Sequence, residues 1–265
     1  MSEYADGTML SVIEEGVGLI TFNQPQKRNA MSIGMWDGLA RILDAFEHDD
    51  RVRAVVLTGA GNRAFIAGAD ISQFEEQRGN ADAQRDYDRL TRAGNARLAA
   101  FAKPTIARIR GYCLGEGLGI AMQCDLRIAA VDSEYGLPGA RLGMAYGFDL
   151  VRNLVSLVGP AHTRMLLYSG QRIDSAEAQR IGLVNQVVED EELSERVVDI
   201  VRTIADNAPL SLRSMKLAVG EAVKDESRCD YAAIDAAIDA CFDSEDYREG
   251  RTAFLEKRPP RFRGR

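Results

Sequence analysis

The chain has 265 residues, 46% of them hydrophobic and 28% charged, enough apolar material for a sizeable buried core and the wrong composition for a disordered or collagen-like chain. Lysine and arginine total 33 against 40 aspartates and glutamates, and the resulting formal net charge of −7 repels polyanions, so nucleic acid is not an expected partner. No run approaches the roughly 18 uninterrupted apolar residues of a membrane helix, and the opening MSEYADGTML lacks the basic and apolar regions of a secretory signal, so a cytoplasmic location without a membrane partner is expected.

In chain order, residues 10–23 (LSVIEEGVGLITFN) read as two β-runs about a Glu15-Gly16 turn. Ser32 then caps a helical pattern carried by Met35, Trp36, Leu39, Ile42, Leu43 and Phe46. Ala54 to Thr58 (AVVLT) has the length and β-branching of a strand buried on both faces, and it leads into Gly59-Ala60-Gly61. Residues 75–100 predict a long polar helix, Thr105 to Ile109 another short strand, and after the loop GYCLGEG come an apolar helix (Leu118 to Met122) and a strand (Leu126 to Ala130). This alternation predicts an α/β fold of repeated β-β-α or β-α crossovers. From about Pro160 onward helical patterns take over, at 160–169, 175–181, 190–206, 209–224 and 230–255, with only 182–188 (GLVNQVV) extended. No Pro/Ser/Gly linker sets this helical third apart, so it is expected to pack on the core or on neighbouring subunits.

Few residues carry obvious chemistry. Cys113, Cys124, Cys229 and Cys241 are scattered without a CxxC pair and read as free thiols, and neither His48 nor His162 has a partner at metal-ligand spacing, so no metal is expected. Two segments place glycine where a backbone must approach something closely: AFIAGAD (64–70) after a strand, and GYCLGEGLG (111–119) opening a helix. Two backbone N–H groups converging from them would stabilise charge on a carbonyl oxygen, with the helix dipole adding its positive end. The same glycines also fit plain turn chemistry. Neither GxGxxG after an N-terminal strand nor a GKS/GKT is present.

The combination PQKRNAM (25–31), AVVLTG, AFIAGADI (64–71), KPTIARIRGYCLGEGLGIAMQCDLRIAA (103–130), YGLPGARLGM (135–144), GLVNQVV and the tail DSEDYREGRTAFLEKRPPRF resembles the crotonase superfamily, the enoyl-CoA hydratase/isomerase family, over nearly the whole chain. The resemblance implies a spiral of repeated ββα units over 1–200. It also implies a C-terminal helical region over 201–265 that builds a trimer or hexamer and caps coenzyme A. The substrate would be an acyl-CoA thioester, with coenzyme A as part of the substrate and no separate cofactor. By position, the N–H groups of Ala69 and Glu116 would hold the thioester oxygen over an enolate. Lys27, Arg28, Ala30, Ala67, Ala69, Asp70 and Ile71 would line the coenzyme A moiety, and Lys257 would either reach its phosphate, also from a neighbouring subunit, or stand as a solvated charge.

The departures bear on the reaction. Hydratases of the family carry two glutamates that orient water and move its proton; here those positions are Gly119 and Gly139, so an isomerase, a decarboxylase or an atypical hydratase is expected, against a catalytically silent coenzyme A-binding scaffold. Glu116 stands where the family usually has glycine, either as a capping carboxylate or as a replacement acid/base. Tyr146 aligns with a tyrosine of methylmalonyl-CoA decarboxylases, which have histidine where this chain has Ala69; it could bind a carboxylate, donate a proton or simply pack. Asp149 and Glu134 are further carboxylates whose plain reading is a solvated loop or a cap. RNA binding would need a dense basic helix, which the sequence lacks.

Overall fold

The computed structural model describes residues 1–70 and 81–265. Strands β1 (Ser2–Tyr4), β2 (Met9–Glu14) and β3 (Val17–Phe22) form an antiparallel edge. Onto β3 are added, all parallel, β4 (Ala54–Gly59), β6 (Thr105–Ile109), β8 (Leu126–Ala130) and β11 (Gln186–Val188), giving the order β1-β2-β3-β4-β6-β8-β11. Strand β4 is buried on both faces because its side chains alternate between two cores. Val55 and Leu57 enter the larger one with helix α1 (Ile33–Glu47), whereas Ala54 and Val56 meet Leu193, Val197 and Val201 of a later helix, α6 (Leu193–Ala205). As the sequence predicts, Ser32 caps α1: its Oγ accepts from the Met35 N–H at 3.3 Å.

A second, smaller sheet, with order β10-β9-β7-β5, is built from β5 (Ala64–Ile66), β7 (Tyr112–Leu114), β9 (Glu134–Gly136) and β10 (Arg172–Asp174). The family resemblance implies ββα units, but the sequence pattern does not mark the individual strands of this sheet. Its strands have three residues each, too few to display a period of two, and β10 falls in the gap between the helical patterns expected at 160–169 and 175–181. With it the chain winds as three consecutive units, each a strand in the large sheet, a strand in the small sheet and a helix: β4-β5-α2 (Ala81–Ala99), β6-β7-α3 (Glu116–Gln123) and β8-β9-α4 (Phe148–Ser169). The expected long helix is α2 in its described part, and residues 75–80 lie outside the described residues.

Two helical boundaries differ from the sequence reading. Helix α4 begins at Phe148 and is interrupted at Gly159 (φ 75) before Pro160, the pair at which the sequence pattern was expected to start. The predicted helix over 230–255 divides into α8 (Tyr231–Asp243) and α9 (Glu245–Glu256), because Ser244 adopts an extended backbone and its Oγ accepts from the Tyr247 N–H at 2.9 Å, capping a new helix. Helices α5 (Ser175–Arg180) and α7 (Pro209–Ala222) complete the chain. Among the described residues no helix is long and apolar enough to cross a membrane.

Gly59 ends β4 where a Cβ would overlap the carbonyl oxygens of Ala64 and Phe65 and stand 2.6 Å from Asn29 Nδ2. Gly59→Ala is therefore expected to cost about 1–3 kcal/mol in a urea titration; an unchanged midpoint would contradict this packing.

Candidate active site

The site is assembled where strands of both sheets end. A 3-10 turn at Pro25–Lys27 runs into Arg28 and Asn29, both with left-handed backbones (φ 52 and 56). Asn29 is fully buried: its Oδ1 accepts from the Gln24 N–H at 3.0 Å, and its Nδ2 donates to the carbonyls of Ala60 and Ala64 at 3.0 and 2.8 Å. These bonds fasten the turn to the chain entering β5. Beyond it, residues 28–31 lie along residues 67–70, with Ala67 N–H donating to Arg28 O (3.1 Å), Met31 N–H to Gly68 O (2.8 Å) and Asp70 N–H to Met31 O (2.8 Å). Lys27, Arg28, Ala30, Ala67, Ala69 and Asp70 thus form one continuous wall; Ile71 lies outside the described residues. Lys27 Nζ reaches buried Asp70 Oδ2 at 2.7 Å while remaining largely exposed, and the guanidiniums of Arg28 and Arg172 lie 5.2 and 5.0 Å from the centre of the Tyr112 ring.

Two glycine turns bring the predicted amides together. Gly68 (φ 111) follows β5 and Gly115 (φ 54) follows β7, and a Cβ on Gly115 would stand only 3.6 Å from Gly68 Cα. Ala69 and Glu116 come next after these glycines, so the two are neighbours in space. Gly115 is held by its N–H to Gly136 O at 2.9 Å, and Gly117 has no room for a side chain because a Cβ would overlap Ile66 O. The Ala69 N–H makes no hydrogen bond among the described residues. Glu116 opens α3, and the first turn of a helix presents its N–H groups and the positive end of its dipole.

Gly119 and Gly139 are not empty gaps. A Cβ on Gly139 would stand 2.6 Å from Tyr146 Cε2 and 3.0 Å from its Cζ, and the Gly139 N–H donates to the Tyr146 phenol oxygen at 2.9 Å. A Cβ on Gly119 would stand 3.4 Å from Leu150 Cδ1. Tyr146 therefore occupies the space beside Gly139, and Leu150 borders that beside Gly119. Burial raises the Tyr146 pKa; the Gly139 hydrogen bond opposes this and the negative charge of Glu116 adds to it, so the phenol keeps its proton at neutral pH. Its oxygen accepts from Gly139, which leaves the phenolic hydrogen uncommitted among the described residues.

Glu116 is half-buried, and its carboxylate receives a hydrogen bond that the sequence reading did not anticipate: the Tyr87 hydroxyl, on α2, lies 2.8 Å from Oε1 and 3.0 Å from Oε2. Three other expected residues stand elsewhere. Asp149 is exposed in the first turn of α4 with Arg152 at 3.3 Å, which fits its plain reading, whereas Glu134 is neither loop nor cap but the first residue of strand β9, paired with Arg172 at 3.2 Å. Lys257 is exposed at the end of α9, on a tail tied back by Phe262 O to Arg53, the residue preceding β4. That is the opposite end of β4 from the site.

The fold and the cleft together define a class: an α/β protein wound as ββα units, with two glycine-flanked amides set side by side beneath a polar turn. The family model of enoyl-CoA hydratase/isomerase matches residues 12–265. A short-chain-enoyl-CoA hydratase of Clostridium acetobutylicum is 37% identical over 245 residues, covering 92% of this chain and 93% of that protein. A crotonyl-CoA hydratase of Syntrophomonas wolfei is 36% identical, covering 94% and 95%. The crystal structure of an enoyl-CoA hydratase/carnithine racemase from Magnetospirillum magneticum superposes with a TM-score of 0.91 at 33% identity, covering 97% and 96%. The chain belongs to the enoyl-CoA hydratase/isomerase family, is an enzyme of that family and has the crotonase fold.

Because Tyr146 fills the space beside Gly139, Gly139→Ala is expected to lower stability by about 1–3 kcal/mol, and Tyr146→Ala in the same chain to remove part of that loss. A double-mutant cycle by denaturant titration measures the coupling, expected at about 0.5 kcal/mol or more; simple additivity would contradict the contact.

Proposed function

We propose that the enzyme takes an acyl-CoA thioester, holds the thioester oxygen between the N–H groups of Ala69 and Glu116, and moves one proton through the resulting enolate. It would thus act as an isomerase-type catalyst rather than as a fast hydratase. The observation that carries this reading is the pair Gly119 and Gly139, with Leu150 and Tyr146 against the space where two water-orienting carboxylates would stand. The Glu116 carboxylate, close enough to Tyr146 to raise its pKa, is the base. It removes a proton beside the carbonyl system, and the C–H electron pair becomes a C=C bond as the carbonyl π pair moves onto oxygen. Returning the proton at either end of the delocalised anion restores the thioester, with no water consumed and no cofactor required. The neutral Tyr146 hydroxyl can hydrogen-bond the developing anion or a substrate carboxylate, and in the latter case decarboxylation uses the same enolate. The names of the relatives, a short-chain-enoyl-CoA hydratase and a crotonyl-CoA hydratase, support the thioester.

In this reading coenzyme A lies along Lys27, Arg28, Ala30, Ala67 and Asp70. The described C-terminal helices expose Met215, Val219, Val223, Phe242, Phe254 and Leu255, an apolar face suited to a homotrimer or hexamer in which Lys257 lies near a neighbour's cleft. Light scattering at micromolar concentration is expected to give a three- or six-fold multiple of 29.1 kDa; a monomer would refute the assembly.

An acyl-CoA panel in D₂O with mass-spectrometric detection tests the reaction. Deuterium is expected at the carbon next to the thioester, with crotonyl-CoA hydration slower by about two or more orders of magnitude than in a two-glutamate enzyme. Glu116→Gln, which keeps the backbone N–H, is expected to lower kcat by about 10²- to 10⁴-fold with coenzyme A affinity by calorimetry nearly unchanged. Tight binding without any exchange would instead identify a silent coenzyme A-binding protein.

A further inference from the structure

We infer that Tyr87 is a positioning residue of the active site, its hydroxyl holding the Glu116 carboxylate in the orientation that transfers the proton. The inference rests on the proton-transfer reading of Glu116. The single phenolic hydrogen faces both carboxylate oxygens, at 2.8 and 3.0 Å, which restricts rotation of the carboxylate about its last bond. Tyr87 is only 5% exposed, on a helix that otherwise reads as polar, so an aromatic ring is buried to deliver a hydroxyl to one acidic side chain. A carboxylate that must meet a carbon acid at one defined angle gains rate from having this rotation already fixed.

The position of the hydroxyl is set well away from the cleft. Asn95 Oδ1 accepts from Gln123 Nε2 at 2.6 Å, so Tyr87 and Asn95 on α2 track Glu116 and Gln123 on α3, and the two helices lie side by side in the same direction. At 1.5 Å per residue this second contact is about 12 Å from the first. Further along α2, Gly94 lets the helix approach Trp36 so closely that a Cβ would stand 2.8 Å from the indole ring. Arg97 pairs with Asp44 and Glu47 of α1. The first helix of the chain thus braces the helix that carries Tyr87.

The test is deuterium incorporation into butyryl-CoA in D₂O, followed by mass spectrometry, for the full-length wild type and for Tyr87→Phe, Tyr87→Leu, Glu116→Gln and the Tyr87→Phe/Glu116→Gln double variant. Tyr87→Phe is expected to lower kcat roughly 10- to 100-fold, the loss of one hydrogen bond to a charged group, with KM changed less than about threefold. In the double variant the loss is expected to equal that of Glu116→Gln alone, because the hydroxyl acts only through the carboxylate. Multiplicative losses in the double variant would overturn the inference, as would full activity in Tyr87→Phe beside a slow Tyr87→Leu, since packing alone would then explain Tyr87. Exchange by the wild type with an unaffected Tyr87→Phe removes this inference and leaves the enolate reading standing. Absence of exchange in the wild type removes both.

Discussion

The close approach of two backbones, the end of β5 and the opening of α3, is the constraint on which the site depends. Gly117 lies so near Ile66 that no side chain fits, and Gly115 and Gly68 turn past each other with left-handed backbones. Glycine tolerates both conditions where other residues would overlap or strain. Once these strand ends are in register, Ala69 and Glu116 are brought beside each other, and the turn at 25–29, pinned by buried Asn29, closes over the same junction. The ββα winding serves this purpose directly: each turn of the spiral ends one strand of the small sheet beside the next.

Around this junction the polar groups are unusual in kind rather than in number. Beside Gly139 stands a phenol bonded to a backbone N–H, and beside Gly119 a leucine methyl. The Glu116 carboxylate takes a hydrogen bond from Tyr87, on α2.

Much of the fold was legible in the sequence. AVVLT announced a doubly buried central strand, Ser32 announced α1, and the polar and apolar helices α2 and α3 fell where their patterns put them. The small sheet was not legible, since three-residue strands such as Tyr112–Leu114 exist only through pairing with segments distant in sequence. The break at Ser244 did carry a signal, a serine before acidic residues, but the helical pattern on both sides masked it. At the site, Ala69, Glu116 and Tyr146 could be singled out only through family resemblance; glycine spacing alone indicated close approach and not what approached. Tyr87 gave no sign, because a tyrosine among Asp and Arg residues looks like solvated helix until the helix beside it is known. Asn29 lay within a quoted motif, yet its role depends on two carbonyls more than thirty residues away.

The four cysteines divide the molecule by reactivity. Cys113 and Cys124 are wholly enclosed, and burial pushes both thiols upward, Cys124 to about 12, so the nucleophilic thiolate is scarce at neutral pH. Both lie in the repeat that opens at the site, on β7 and just after α3. Cys229 and Cys241 are partly open and belong to the C-terminal helical region, Cys241 beside the exposed Phe242. Thiol-directed chromophores would therefore settle on the C-terminal helices and spare the buried repeat, giving the native chain its own attachment points for optical probes of that region.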